Sequence, residues 1–378
     1  MRTGLTLIFG LLLAGCASSP VLPPDRSSSN PEWDLGLIRS HAVFLDGEDP
    51  EGRKTGTRGF NRAAAYVAGQ LSEFGLQPVL SDEFRLQYAS KISMIPRAQV
   101  SIVGVDTLSF VRGTDYLVEP GSGAGTIRIP IQRIDAEQGV QIPDSLSISV
   151  INHTRPDGNF GASYPTIHIR EGLLASFPAA EYEVVVTTEK ISTVSTAPMH
   201  IVGYIPGADP VHRDSLRIIL APIDGFGLDG QRSWTDGSDS SMPASALLEV
   251  ARRMSHLQNT WGIFKSSFMI AFVSGTRGSC DGGVSLFRNL PWDKSRVASL
   301  AVIESEGSRD CDWGGVLKTT DLSAPFIDYS FEVGSPDSAR ERMGEHFPRP
   351  HLLQSEYLDE AVIRAVQMSE MILSDAME

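Results

Sequence analysis

Two cysteines lie where a disulfide bond would form in an exported chain. Cys280 follows the predicted strand Phe268–Ser274, and Cys311 follows the predicted strand Val297–Ile303, each at the carboxyl end. Because the carboxyl ends of parallel strands lie side by side at one edge of a sheet, we expect the two sulfur atoms to meet there. The sequence therefore predicts a Cys280–Cys311 disulfide at this edge, with two unpaired thiols as the alternative.

The serines and most of the histidines fit no familiar catalytic pattern. Ser240 and Ser241 do not form the nucleophile elbow that exposes the reactive hydroxyl of many serine hydrolases, so that class is not expected. Seven histidines show no ligand spacing to one another and are expected to be structural or exposed: His41, His153, His168, His200, His212, His256 and His346.

The remaining cysteine, Cys16, ends an N-terminal apolar segment. The run from Leu5 to Leu13 is too short to span a bilayer, which takes roughly 20 residues, but it is typical of a signal peptide. The following Ala14-Gly15-Cys16 completes a string that resembles the bacterial lipobox, whose cysteine becomes the lipidated first residue of the mature protein. We therefore expect a signal peptide over 1–15 and lipidation at Cys16. A plain secretory signal with an incidental cysteine is the alternative.

Residues 16–32 are rich in proline and serine, which predicts a flexible tether between the lipid and the fold. Ala17 follows the lipidated cysteine, and by resemblance to enterobacterial sorting this favours the outer membrane. The expected location is the bacterial cell envelope, with the chain attached to the outer membrane and facing the periplasm.

Length and charge narrow the function classes. The 378 residues are 41% hydrophobic, which is enough to build a large core. With 46 acidic and 32 basic side chains, the formal net charge is −14, and this charge repels phosphate backbones. Nucleic acid is therefore not an expected partner.

The element pattern predicts an interrupted α/β domain. Over 97–198, short β-branched runs alternate with turn residues and helical periodicity is nearly absent, which predicts a β-rich insert. Over 33–96 and 199–378, apolar strands alternate with amphipathic helices such as Phe60–Phe74 and Ala244–Met254. This alternation is typical of a mostly parallel sheet covered by helices on both faces.

Three strings stand in order along the chain, over 51–59, 200–207 and 237–241, and the last precedes a predicted helix. Together they resemble the zinc aminopeptidase family that also contains the glutaminyl cyclases. The Asp-Ser-x-x-Pro form from Asp239 to Pro243 looks closer to the cyclase branch. The resemblance implies a zinc-exopeptidase-like fold, with a mostly parallel twisted central sheet flanked by helices. It places the 97–198 insert where some relatives carry a protease-associated domain.

The resemblance also implies a metal site. In that family two zinc ions polarise the scissile carbonyl and lower the pKa of the bound water, and a glutamate acts as general base. By resemblance the metal-ligand positions that keep a suitable side chain are Asp239, Glu304 and His351, where Glu304 replaces an aspartate. Asp224 matches the aspartate that orients the first metal histidine.

Other positions depart from the family pattern. Pro222 replaces the first metal histidine, and proline cannot ligate a metal. The family's Glu-Glu pair, which supplies the base and a ligand, falls at about Arg277-Gly278, where the fixed positive charge opposes cation binding. With Asp224, the acids Asp281 and Glu306 are weak candidates for a catalytic role. A two-zinc site is therefore not expected.

Ordinary structural roles are the alternatives for these side chains. Asp239 would cap the following helix, His351 would be a surface histidine, and Glu304 and Glu306 would be solvated carboxylates at the rim.

Two functions follow from this reasoning. The first is a catalytically inactive lipoprotein, without a cofactor, that binds a peptide or an envelope protein. The second is a divergent aminopeptidase or glutaminyl cyclase with one zinc on Asp239, Glu304 and His351.

Overall fold

The computed structural model describes one continuous unit that begins at Trp33. The described residues are 33–45, 52–80, 83–93, 97–112, 114–118, 122–135, 140–142, 146–151, 164–170, 172–178, 181–190, 193–225, 227–229, 232–234, 238–276, 280–305, 311–331, 367, 371–372 and 374–377. The predicted signal peptide, the tether and Cys16 lie outside them.

Helices and strands alternate on either side of a long run of strands. The helices are α1 (Leu35–Leu45), α2 (Arg58–Glu73), α3 (Ser238–Trp261), α4 (Asp281–Arg288) and α5 (Trp313–Thr319). The strands are β1 (Gln77–Pro78), β2 (Arg85–Gln87), β3 (Ser90–Ser93), β4 (Ala98–Val103), β5 (Thr107–Ser109), β6 (Tyr116–Val118), β7 (Gly125–Pro130), β8 (Val140–Ile142), β9 (Leu146–Ile151), β10 (Thr166–Arg170), β11 (Glu183–Thr188), β12 (Thr193–Thr196), β13 (Met199–Ile205), β14 (Leu216–Pro222), β15 (Gly227–Asp229), β16 (Arg232–Trp234), β17 (Ser267–Val273), β18 (Val297–Ser305) and β19 (Phe326–Phe331).

The central sheet has the order β1-β13-β17-β14-β18-β19, and β2 also pairs with β13. The β17–β14, β14–β18 and β18–β19 pairs are parallel, whereas β13 joins β17 in the antiparallel sense. Alternate side chains of β17 enter two separate cores. Ile270 packs with residues of α1, α2 and α3, and Met269 packs with residues of α4 and α5. The predicted α/β fold, a mostly parallel sheet flanked by helices, is confirmed.

Two further four-stranded sheets lie between β3 and β12. Their orders are β6-β10-β9-β8 and β5-β4-β11-β7, and one hydrophobic core contains side chains of both. Strands β3 and β12 pair with each other at the two ends of this segment. The segment is rich in strands, as the short β-branched runs over 97–198 predicted. The domain boundaries stay a prediction.

Helix α2 begins after a capping threonine and ends before a glycine. The Thr57 side chain accepts a hydrogen bond from the Phe60 backbone N–H at 3.2 Å and caps α2. Gly75 follows the helix with a φ of +77°, a left-handed conformation that glycine adopts without a steric penalty. The predicted helix Phe60–Phe74 therefore agrees with α2, except that α2 begins two residues earlier, at Arg58, and ends one residue earlier, at Glu73.

The second long helix extends further than its pattern predicted. The apolar pattern predicted Ala244–Met254, whereas α3 spans Ser238–Trp261. The last turns of α3 carry polar side chains that form hydrogen bonds to loop residues. The Gln258 amide accepts from the Phe264 N–H and donates to the Pro206 carbonyl, so these residues support the helix without showing apolar periodicity. Among the described residues, no helix is long and apolar enough to cross a membrane.

Candidate functional site

The candidate site lies at the carboxyl ends of three neighbouring parallel strands, β17, β14 and β18. Pro222 ends β14 beside Val273, which ends β17. Asp224 follows two residues after Pro222, and Glu304 lies near the end of β18. This is the edge at which open α/β sheets place their ligands, and the acids that the sequence singled out, Asp224 and Glu304, do lie there.

Asp224 is a buried hydrogen-bonding centre with 1% of its surface exposed. Its Oδ2 accepts from the Thr55 hydroxyl at 2.8 Å, from the Gly275 N–H at 2.9 Å and from the Thr276 N–H at 3.1 Å. Its Oδ1 accepts from the Thr276 hydroxyl at 2.6 Å. We call these four residues, Thr55, Asp224, Gly275 and Thr276, the Asp224 network.

The Asp224 network joins three segments that are far apart in the sequence. Thr55 belongs to the turn before α2, Asp224 to the loop after β14, and Gly275 and Thr276 to the loop after β17. Four donors on one carboxylate balance its buried charge. Asp224 was predicted as a weak catalytic candidate that resembles a histidine-orienting aspartate. That role stays a prediction, and in the described geometry the Asp224 carboxylate joins the loops after β14 and β17 to the turn before α2.

A stacked aromatic pair supports the same edge. The Tyr88 ring stacks on the His200 ring with centroids 4.5 Å apart, and its hydroxyl lies 3.2 Å from the Ser274 hydroxyl. The Ser274 N–H donates to His200 Nδ1 at 3.3 Å. Burial lowers the pKa of His200 to about 3 and raises the pKa of Tyr88 well above its usual range. His200 is therefore neutral at physiological pH, which agrees with its predicted structural role.

Sequence reasoning did not single out Tyr88, because no motif surrounds it. Its position becomes meaningful only in three dimensions, where its hydroxyl approaches the backbone of Gly275. A Cβ atom on Gly275 would lie 2.5 Å from that hydroxyl, and Gly275 also has a φ of +67°. The glycine is required here both by conformation and by close approach.

Glu304 is also buried, with 3% of its surface exposed. Its Oε1 accepts from the Trp313 indole N–H at 2.6 Å, and Trp313 is itself 3% exposed. The alternative expectation that Glu304 is a solvated rim carboxylate is therefore wrong. No pattern in the sequence indicates this partner, because Trp313 begins α5, a helix of only seven residues with two glycines.

The predicted disulfide between Cys280 and Cys311 is confirmed. It joins the residue before α4 to the turn before α5, and the two Cα atoms are 5.1 Å apart. Both cysteines are buried and belong to the core that contains Trp313. The bond therefore connects the start of α4 to the region that covers Glu304.

The other predicted site residues are placed in different ways. Asp281 is exposed and begins α4, where a negative charge favours the helix N-terminus. Asp239 is the second residue of α3, so it lies within the helix and not in the loop before it. Arg277, Gly278, Glu306 and His351 lie outside the described residues.

The residues described at this edge do not fit a zinc pair. Pro222 offers no donor atom, the Asp224 oxygens accept hydrogen bonds from protein groups, and the Glu304 carboxylate accepts from an indole. Within the described part of the chain, no group of three or more His, Cys, Asp and Glu side chains has the arrangement that a metal ion requires.

Comparison with solved structures identifies the fold class. The chain is similar to a zinc aminopeptidase from Bacillus subtilis, with a TM-score of 0.57 and 11% identity over 90% of this chain and 95% of that one. It is similar to an aminopeptidase from Aneurinibacillus sp. strain AM-1, with a TM-score of 0.54 and 13% identity over 88% and 93% of the two chains. A peptidase M28 precursor from Shewanella amazonensis gives a TM-score of 0.50 at 12% identity, over 91% and 92%.

No protein-family model matches the sequence, and no curated protein sequence matches it. The similarity to these solved structures alone establishes the zinc aminopeptidase fold for this chain. The resemblance predicted from the sequence strings is confirmed at that level.

Proposed function

We propose that this protein is an exported lipoprotein that uses a zinc-aminopeptidase fold for binding and not for hydrolysis. The proposal rests on the residues observed at the carboxyl end of β14. Pro222 stands where the resemblance places a metal histidine, and the neighbouring Asp224 carboxylate accepts hydrogen bonds from Thr55, Gly275 and Thr276.

Two departures in the sequence support the loss of catalysis. The proline side chain has no donor atom for a metal, so one zinc ligand is missing at Pro222. The Glu-Glu pair of the family is replaced by Arg277-Gly278, which removes the general base. General-base catalysis contributes typically 10²–10⁴-fold in rate, so its loss alone would reduce hydrolysis severely.

The proposed partner is a peptide or an envelope protein. The structures that share this fold are aminopeptidases, so a peptide end is a ligand that the fold accommodates in other proteins. Lipidation at Cys16 and the tether over 16–32 would hold the domain at the outer membrane, facing the periplasm. The net charge of −14 argues against nucleic acid as the partner.

A divergent zinc enzyme is the second candidate, because Glu304 keeps a carboxylate near the end of β18. In this reading a single zinc would be held by Asp239, Glu304 and His351, and Asp281 or Glu306 would act as base. Either an aminopeptidase or a glutaminyl cyclase activity would follow.

Metal content separates the two candidates. We expect purified protein to contain far less than one zinc per chain after dialysis against zinc, and to be inert on aminoacyl and N-terminal glutaminyl substrates. Stoichiometric zinc that is lost in Asp239→Ala, but kept in the exposed control Asp106→Ala, would overturn the proposal. Zinc binding that survives Asp239→Ala would contradict the single-zinc candidate as well.

Lipidation is tested separately in a bacterial host. Labelled palmitate should enter the wild-type protein and the control Ser18→Ala but not Cys16→Ala, which should also leave the membrane fraction. Equal labelling of all three proteins would refute lipidation at Cys16 without affecting the proposal about catalysis.

A further inference from the structure

Apolar side chains are exposed at the edge of the central sheet where β14 and β17 begin, which we call the amino edge. One loop at this edge, 206–215, joins β13 to β14, and another, 262–266, joins α3 to β17. Val211 in the first loop is 80% exposed, Trp261 at the end of α3 is 67% exposed, and Ile263 is also exposed. We call these three side chains the amino-edge patch.

Hydrogen bonds hold the two loops against each other. The Ala208 N–H donates to the Phe264 carbonyl at 2.8 Å, and the Gln258 side chain bonds the backbone of each loop. The Ser267 hydroxyl, at the start of β17, donates to the Arg213 carbonyl at 2.7 Å. The amino-edge patch therefore lies on ordered backbone, and apolar side chains gathered on such a surface mark a contact with a protein or a membrane.

The described chain begins near the same edge. The Trp33 ring lies under the Arg253 guanidinium, with 4.2 Å between the ring centroid and Cζ. Arg253 and Trp261 are eight residues apart on α3, which is about 12 Å along a helix. Residues 16–32 join Trp33 to Cys16, the predicted site of lipidation, and a chain of that length reaches about 60 Å at most. A lipid at Cys16 therefore keeps the amino-edge patch within reach of the bilayer.

The charged side chains beside the patch suit a lipid headgroup. Arg213 and Lys265 are exposed, one on each loop, and both can bind phosphate. The two acidic side chains of the first loop, Asp209 and Asp214, each have a basic partner within 3.2 Å. Proteins place tryptophan at the level of lipid headgroups, because one end of its ring system is apolar and the other is polar. The patch therefore has the composition of a contact with a membrane surface.

We propose that the amino-edge patch docks on the bilayer to which the chain is anchored, with its apolar side chains among the headgroups and Arg213 and Lys265 on lipid phosphates. This inference rests on the proposed lipidation at Cys16, which makes the contact intramolecular, so that a small patch is enough. The candidate site then faces away from the bilayer. It lies at the opposite edge of the sheet, because β17 runs from Ser267 at the patch to Val273 at the site, about 20 Å.

Quenching of tryptophan fluorescence by brominated lipids tests the contact on the lipidated protein in vesicles of phosphatidylethanolamine and phosphatidylglycerol. Brominated acyl chains should quench the wild-type emission, and Trp261→Phe should lose this quenching although four tryptophans remain. Val211→Ser should reduce the quenching about twofold or more, because the contact loses an apolar side chain. Val105→Ser is the matched control, since Val105 is 79% exposed on the β4–β5 turn, and it should leave the quenching unchanged.

Equal quenching of wild type and Trp261→Phe, or none in either, would overturn the inference. So would a dimer that dissociates in Trp261→Ser without any quenching by lipid, because a second copy would then cover the patch. Palmitate labelling of the same preparation keeps the two proposals apart. Labelled protein without quenching refutes the membrane contact alone. Unlabelled protein refutes lipidation at Cys16, and its quenching after simple mixing with the vesicles then decides the contact.

Discussion

Two buried carboxylates at the same sheet edge are held in different ways. Asp224 accepts hydrogen bonds from residues of two other segments, and two of its donors are backbone N–H groups. Glu304 accepts from the indole of Trp313, which lies on a seven-residue helix next to a disulfide. The Asp224 carboxylate has two backbone N–H groups and two hydroxyls as donors, whereas the indole that donates to Glu304 belongs to one side chain on a short helix. Asp224 is therefore expected to contribute more to the stability of the fold than the Glu304–Trp313 hydrogen bond does.

The largest expected effect is at Asp224. Asp224→Ala leaves the buried Thr55 and Thr276 hydroxyls and the Thr276 backbone N–H without this acceptor, while the Gly275 N–H keeps the Thr55 hydroxyl oxygen, and the change should lower the free energy of unfolding by about 3–5 kcal/mol. Urea denaturation measures the change. The exposed control Asp106→Ala should stay within about 0.5 kcal/mol of wild type. If Asp224→Ala lowers the free energy of unfolding by less than Trp313→Phe does, Glu304 contributes more to stability than Asp224 and the expectation is wrong.

At the second carboxylate, Trp313→Phe removes the N–H that the Glu304 carboxylate accepts. We expect a loss of about 2–3 kcal/mol in the free energy of unfolding, because the buried carboxylate loses one hydrogen-bond donor. Adding Glu304→Gln should recover part of this loss, since a neutral amide tolerates the missing donor better. Trp261→Phe is the matched control, because that ring is 67% exposed. If both tryptophan variants cost the same, the indole hydrogen bond contributes nothing.

Acid should weaken the protein through histidines that stay neutral when folded. The pKa of His200 is lowered to about 3 by burial, and the pKa of His41 is lowered to about 4 by burial and the nearby Arg252 charge. This stability is complete above the unfolded pKa of roughly 6.5, because only the unfolded chain takes up protons below that pH. As pH falls from 6.5 towards 5, each histidine should cost about 1.4 kcal/mol per pH unit.

The histidine next to the Asp224 network can be separated from the other one. His200→Asn keeps a group that can accept the Ser274 N–H but cannot titrate. In this variant the decline of unfolding free energy between pH 6.5 and 5 should be about half as steep as in wild type. An unchanged slope, measured by denaturation at several pH values, would assign the acid sensitivity to other groups.

The smallest effect concerns the packing of α4 against Trp313. Gly283→Ala places a Cβ atom 2.8 Å from the indole, so we expect a loss of about 1–2 kcal/mol from overpacking. Gly69→Ala is the matched control, since no atom lies within 4 Å of its Cβ position on α2. That control should be neutral or should stabilise the protein by about 0.5–1 kcal/mol. Thermal unfolding of the two variants measures whether each substitution stabilises or destabilises the protein.

Much of the fold was readable from local patterns. The apolar runs of β17 and β18 indicated strands covered on two faces, and the amphipathic pattern of Phe60–Phe74 indicated α2. Helices α4 and α5 were missed because they are short and contain glycines, Gly283 and Gly314, that weaken a helical pattern. Their formation depends on packing against the sheet, which local sequence does not encode.

The features of the candidate site also fall into those that the sequence predicts and those that it does not. The sequence by itself determined that Pro222 cannot ligate a metal, and it predicted the Cys280–Cys311 pair, because both follow from residue type and from the common edge of parallel strands. Only the tertiary structure decided that Asp224 fastens Thr55 to Thr276 and that Trp313 covers Glu304. These contacts join residues from distant or newly formed elements. Hydrogen-bond partners across such distances are set by how the whole chain packs, and no spacing in the sequence reports them.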